Sequence, residues 1–141
     1  FCRATQHQHI IMNKNNEKKS TGARMKIQAR LMLDDEIAFG PGKAELLSAI
    51  QSTGSISAAG KHLGMSYRRA WLLVDAMNRC FQQPLVETAT GGTQGGGARL
   101  TPLGLDVVAR YQQLQHDVHA LGEKHFPEFK PLLRKKPVPL A

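Results

Sequence analysis

The stretch from Gly54 to Ser66 constrains this chain most, because it leaves room for one short helix and marks both of its ends. Gly54 can close a preceding helix in the left-handed conformation, and Ser55 can cap the next one. Ile56, Ala59 and Leu63 come at spacings of three and four, so they share a helical face. Gly64-Met65-Ser66 is a tight turn, with Gly64 free to take positive φ and Ser66 set as another N-cap. A second helix is expected from Tyr67 to about Phe81, with Ala70, Val74, Met77 and Phe81 on its inner stripe. Its first turn shows Tyr67, Arg68 and Arg69.

Residues 85–100 read as a hairpin. Leu85-Val86-Glu87-Thr88-Ala89-Thr90 is a strand pattern, and Ala98-Arg99-Leu100 is a return strand. Between them, Gly91-Gly92-Thr93-Gln94-Gly95-Gly96-Gly97 holds five glycines in seven residues. A tip so poor in side chains can approach another backbone closely. A phosphate-cradling nucleotide loop fails on detail, since no Gly-Lys-Ser/Thr comes after it and no strand hands over to a helix. Helix, turn, helix and glycine-rich hairpin together describe a winged helix-turn-helix. In that motif the N-terminal residues of the second helix meet base edges in the major groove of duplex DNA.

Upstream, Lys26 to Leu33 alternates, with Ile27, Ala29, Leu31 and Leu33 on one side, which predicts a half-buried strand. Asp34-Asp35-Glu36 breaks it, and a helix is expected from about Pro41 to Thr53 with Leu46, Leu47 and Ile50 facing inward. Downstream, Thr101 is an N-cap and Pro102 suits the first helical position. Val107, Tyr111, Leu114, Val118 and Leu121 then recur at spacings of 4, 3, 4 and 3. That stripe can bury against the parent domain or form a coiled-coil seam. The seam is preferred, because one small winged helix offers too little surface to cover it. This helix is expected to break at His125-Phe126-Pro127. The fold class is therefore mainly α with a small β component: a winged helix-turn-helix with a long C-terminal dimerisation helix. Residues 1–24 read as a disordered basic tail, 25–125 as the DNA-binding and dimerisation domain, and 126–141 as a basic, proline-containing tail with Phe129 and Leu132 docked.

The net charge of +8 does not by itself locate a nucleic-acid surface. Residues 1–30 carry +6, residues 31–124 carry −1, and residues 125–141 carry +3. The local balance is more telling: between Ser55 and Gln83, Lys61, Arg68, Arg69 and Arg79 face only Asp75. His116 and His119 could share one face of the long helix, but two ligands do not make a metal site. Cys2 and Cys80 give no disulfide framework, and a buried free thiol is the plainer reading of Cys80. No catalytic constellation is legible, so neither enzymatic activity nor a cofactor is expected. With no membrane-length apolar run and no signal-peptide pattern, the chain reads as cytoplasmic.

The segments Gly54-Ser55-Ile56-Ser57, Ser66-Tyr67-Arg68-Arg69-Ala70-Trp71 and Met77-Asn78, with the wing from Ala89 to Thr101, resemble the DNA-binding domain of ModE-type molybdate-responsive regulators. The helix-turn-helix portion also resembles the N-terminal domains of LysR-type regulators. The likeness covers about Lys26 to Gly122 and implies a homodimer whose helix from Ser66 reads double-stranded DNA. The expected DNA contacts are Ser55, Lys61, Ser66, Tyr67, Arg68, Arg69, Trp71, Thr93, Gln94 and Arg99. Arg68 and Arg69 are the candidates for guanine, Lys61 for phosphate and Arg99 for anchoring the wing. Trp71 has two readings, packing between the motif helices or donating its indole N–H to phosphate. Full-length relatives carry molybdate-binding domains beyond the dimer helix. Too few residues come after that helix here to hold one, so a separate molybdate-binding protein is the expected source of any molybdate response. The rival reading is a winged-helix adaptor that binds protein rather than DNA.

Overall fold

The computed structural model describes residues 22–89 and 97–141. A short hairpin comes first: β1 (Leu31–Leu33) and β2 (Glu36–Phe39), antiparallel, with Met32 opposite Ile37 and Leu33 opposite Glu36. Three helices come next: α1 (Pro41–Thr53), α2 (Ile56–His62) and α3 (Tyr67–Cys80). The wing is β3 (Val86–Ala89) paired antiparallel with β4 (Gly97–Leu100). The long α4 (Pro102–Phe129) runs into a single 3-10 turn at Lys130–Leu132.

The helix ends fall where the caps lie. Ser55 Oγ accepts from Ala58 N, Ser66 Oγ from Arg69 N and Thr101 Oγ1 from Gly104 N, at 3.2, 3.1 and 3.0 Å. Each satisfies an N–H that a helix start leaves unpaired. Gly64 takes φ 70° in the turn between α2 and α3, a conformation that costs a residue with a Cβ. The core packs Phe39, Leu46, Leu47 and Ile50 against Ile56, Ala59, Ala70, Val74 and Met77, with Leu85, Val86 and Leu100 closing it from the wing side.

The N-terminal part departs from the sequence reading. The alternating run from Lys26 does not form one half-buried strand: only Leu31–Leu33 is strand, and all three residues are exposed. Asp34, at φ 49°, turns the chain back, and the unforeseen β2 carries the buried residues Ala38 and Phe39. Residues 25–30 instead lie along α4. Tyr111 Oη donates to Ala29 O (2.8 Å), and Gln115 takes Ala29 N (3.0 Å) while donating to Ile27 O (3.4 Å).

Tyr111 is therefore an interior residue of the chain and not part of an open seam. It is buried and meets the Phe39 ring edge-on at 5.1 Å. Burial also pushes its phenol pKa up. The end of α4 needs a second correction. Pro127 does not stop the helix, which continues to Phe129. Phe129 and, beyond it, Leu132 are exposed and not docked. A proline so close to a helix end removes one hydrogen bond near a terminus, where few remain to lose.

Candidate nucleic-acid interface

The helix-turn-helix presents α3 outward, and one amide side chain fixes the wing beside it. Asn78, near the C-terminal end of α3, accepts from Leu85 N and Val86 N with its Oδ1 (2.9 and 3.3 Å) and donates its Nδ2 to Val86 O (3.3 Å). These three bonds imitate a strand neighbour and pin the start of β3 to the helix. Thr101 secures the other side: its N–H donates to Leu85 O (2.9 Å) and its Oγ1 to Pro84 O (2.7 Å). Just after it, Gly104 lets α4 approach so closely that a Cβ there would run into the Leu85 carbonyl oxygen. The return strand is tied to the helix-turn-helix as well, with Ala98 N donating to Gly54 O at 2.8 Å.

Half of the ten expected contact residues lie at the exposed N-terminal end of α3. Tyr67, Arg68 and Arg69 are exposed on the first turn of α3, next to the exposed cap Ser66. Trp71 lies one turn further on, 37% exposed, and meets Tyr67 edge-on at 6.1 Å. Its ring is thus at the surface and not sealed between α2 and α3. Lys61 is exposed at the end of α2 and Ser55 half-buried at its start. Among the described residues, the side chains of Lys61, Arg68 and Arg69 form no ion pair. Arg99 is exposed on β4 but paired with its cross-strand neighbour Glu87 at 3.2 Å. An exposed pair of this kind is weak, and a phosphate can displace the carboxylate. Thr93, Gln94 and the glycines 91, 92, 95 and 96 lie outside the described residues.

Arg79 behaves differently. It is bidentate to Glu36 (2.8 and 3.2 Å) and also holds Asp75 (2.9 Å), which joins α3 to the first hairpin. The guanidinium keeps the Glu36 carboxyl below the ordinary range, and the two carboxylates hold Arg79 above its own. Of the four basic residues counted toward the local positive balance, Arg79 is the one that an ion pair among the described residues already neutralises.

Two residues of this surface escape sequence reasoning. Asn78 is legible there only as part of a motif, and the signal that could have found it is an amide side chain shortly before a strand start. Leu72 gives no sign of a role, although it stands outside the Ala70/Val74/Met77 stripe and is 56% exposed.

The expected dimer residues divide. Val107 and Val118 are half-buried, Tyr111 is interior, and Leu114 and Leu121 are 45% and 52% exposed. Gly122 lies under Ile27 and Met25. So the chain's own residues 25–30 cover the Tyr111–Gln115–Gly122 side of α4, and Leu114 and Leu121 remain open beside it. Among the described residues, no helix is long and apolar enough to cross a membrane, and no group of three or more His, Cys, Asp or Glu could hold a metal ion.

This architecture and this exposed α3 define a winged helix-turn-helix domain with a long C-terminal helix. Residues 42–105, from the first turn of α1 to the first turn of α4, match the family described as bacterial regulatory helix-turn-helix protein, lysR family. The chain is 46% identical over 83 residues to the molybdenum-pterin-binding protein MopB of Rhodobacter capsulatus, covering 59% of this chain and 31% of that one. It is 42% identical over 89 residues to the molybdenum transport protein ModE of Azotobacter vinelandii, covering 62% and 33%. It is 40% identical over 100 residues to the DNA-binding transcriptional dual regulator ModE of Escherichia coli K12, covering 67% and 36%. The ModE-type resemblance read from the α3 and wing motifs is thus supported by relatives matched over 83 to 100 residues of this chain. The chain spans about a third of the length of these relatives.

Proposed function

We propose that residues 25–125 form the DNA-binding and dimerising part of a transcriptional regulator linked to molybdenum metabolism. The observation that carries this reading is the outward face of α3. Among the described residues, Arg68 and Arg69 on its first turn form no ion pair, and Asn78 fixes a wing at the other end of the same helix. The free guanidinium forks match the acceptor pair of guanine in the major groove, and Lys61 supplies charge to phosphate. Two such domains related by a dyad place two α3 helices in successive major grooves, one helical turn apart. The molybdenum link rests on the relatives' names alone. They are called molybdenum transport, molybdenum-pterin-binding and transcriptional regulator proteins.

A duplex selected from a random pool tests the reading by gel shift at two salt concentrations. Binding should weaken steeply with salt for every duplex, and the selected one should hold its advantage over random DNA. Arg68→Ala should lose about 1–3 kcal/mol of that advantage, with an unchanged melting curve. A chain that shows no preference for any duplex at either salt concentration is not a sequence reader, and the adaptor reading takes its place.

A further inference from the structure

Leu72 occupies an unusual position. Successive residues advance by about 100° around a helix, which sets Leu72 roughly opposite the buried Ala70, Val74 and Met77. Arg68 precedes it by one turn and Asp75 comes one turn after. Tyr67 and Trp71, 60% and 37% exposed, stand beside this row. Tyr67, Arg68, Trp71, Leu72 and Asp75 together line a shallow depression on the outside of α3. A single exposed leucine needs no explanation, but one continuous with two aromatic rings at the middle of an outward helix face marks a contact surface. Its setting selects the partner. The unpaired Arg68 and Arg69 flank it, and Asp75, the one carboxylate lining the depression, is already held by Arg79 at 2.9 Å. The surface is therefore apolar within a cationic frame, as a polyanion with apolar points would require.

The major groove of duplex DNA offers one apolar group at each A·T pair, the thymine C5-methyl. We propose that Leu72, with the edges of Trp71 and Tyr67, reads thymine methyl groups next to the base that Arg68 contacts. The proposal rests on the DNA-binding reading above and adds to it the kind of base that the centre of the helix demands.

Deoxyuridine replaces thymine with the loss of the methyl alone, so the test is chemical substitution in the DNA. The selected duplex is compared with versions carrying deoxyuridine at one thymine position at a time. At one or two positions in each half-site, the wild-type chain should lose about three- to tenfold in affinity. Leu72→Ala, which changes an exposed residue, should keep its melting curve and its affinity for random DNA, and should lose most of its sensitivity to those same methyls. If no deoxyuridine position matters to the wild type, or if Leu72→Ala remains as sensitive as the wild type, the proposal is wrong even though the DNA-binding reading stands. If Leu72→Ala changes neither specific nor random binding, the patch serves a protein partner and the proposal falls. If no duplex is preferred at all, both readings fall together.

Discussion

Ser55, Ser66 and Thr101 show how much a single side chain decides. Each hydroxyl accepts the N–H three residues on, as its place before an apolar run foretells. Residues whose role is local can be read in sequence because the partner lies within one turn. Asn78 cannot be read that way, since its partners lie seven and eight residues on, across a change from helix to strand. Its partly buried bonds lead to a test. Asn78→Ala leaves the N–H groups of Leu85 and Val86 short of an acceptor, each at a cost of about 1–3 kcal/mol. Melting should show a less stable fold, and hydrogen exchange should show faster exchange at Leu85 and Val86 in particular. Unchanged protection at both amides would mean that the wing holds its place without Asn78.

Among the elements, α3 matches its reading and the first hairpin does not. The stripe of α3 repeats along the whole helix and separates cleanly from its charged side, so its period is unmistakable. β1 and β2 have three and four residues, too few to establish a period. Ile27 and Ala29 belong to a segment held by α4 through Tyr111 and Gln115, and only Leu31, the first residue of β1, takes part in strand pairing. For α4 the periodicity is plain but its use is only partly legible, because spacing alone does not say that residues 25–30 claim one side. Leu114 and Leu121 remain exposed beside that covered side, and the proposed dimer would bury them. Leu114→Glu would then place an unpaired charge in the seam, at a cost of about 3–5 kcal/mol. Sedimentation velocity should show the wild type as a dimer and the variant as a monomer. A wild type that sediments as a monomer at micromolar concentration removes the seam.

At the scale of the molecule, charge and anion-binding capacity point the same way. Residues 31–124 sum to −1, so attraction to phosphate comes from a local patch rather than from the domain as a whole. The serine and threonine caps of α2, α3 and α4 each take one of the N-terminal N–H groups that could otherwise receive an oxyanion, and α1 opens at Gly40 without a side-chain cap, but a helix start alone is not the closed pocket of fixed donors that an oxyanion needs. These 141 residues are accordingly expected to bind molybdate weakly or not at all. Calorimetric titration with molybdate should give no stoichiometric heat at micromolar protein, and a tight one-to-one isotherm would reveal a pocket, for instance between two copies of the chain. The braces at Asn78 and Thr101 carry a further consequence for the DNA itself. In the proposed complex with DNA, these braces would tie the base of the wing to α3 and so hold the distance between the bases read by the helix and those beneath the wing constant within each half-site. Any tolerance for operators of different lengths must then reside in the joint between two heads, so natural sites should vary in the spacer at their centre and hold constant within each arm.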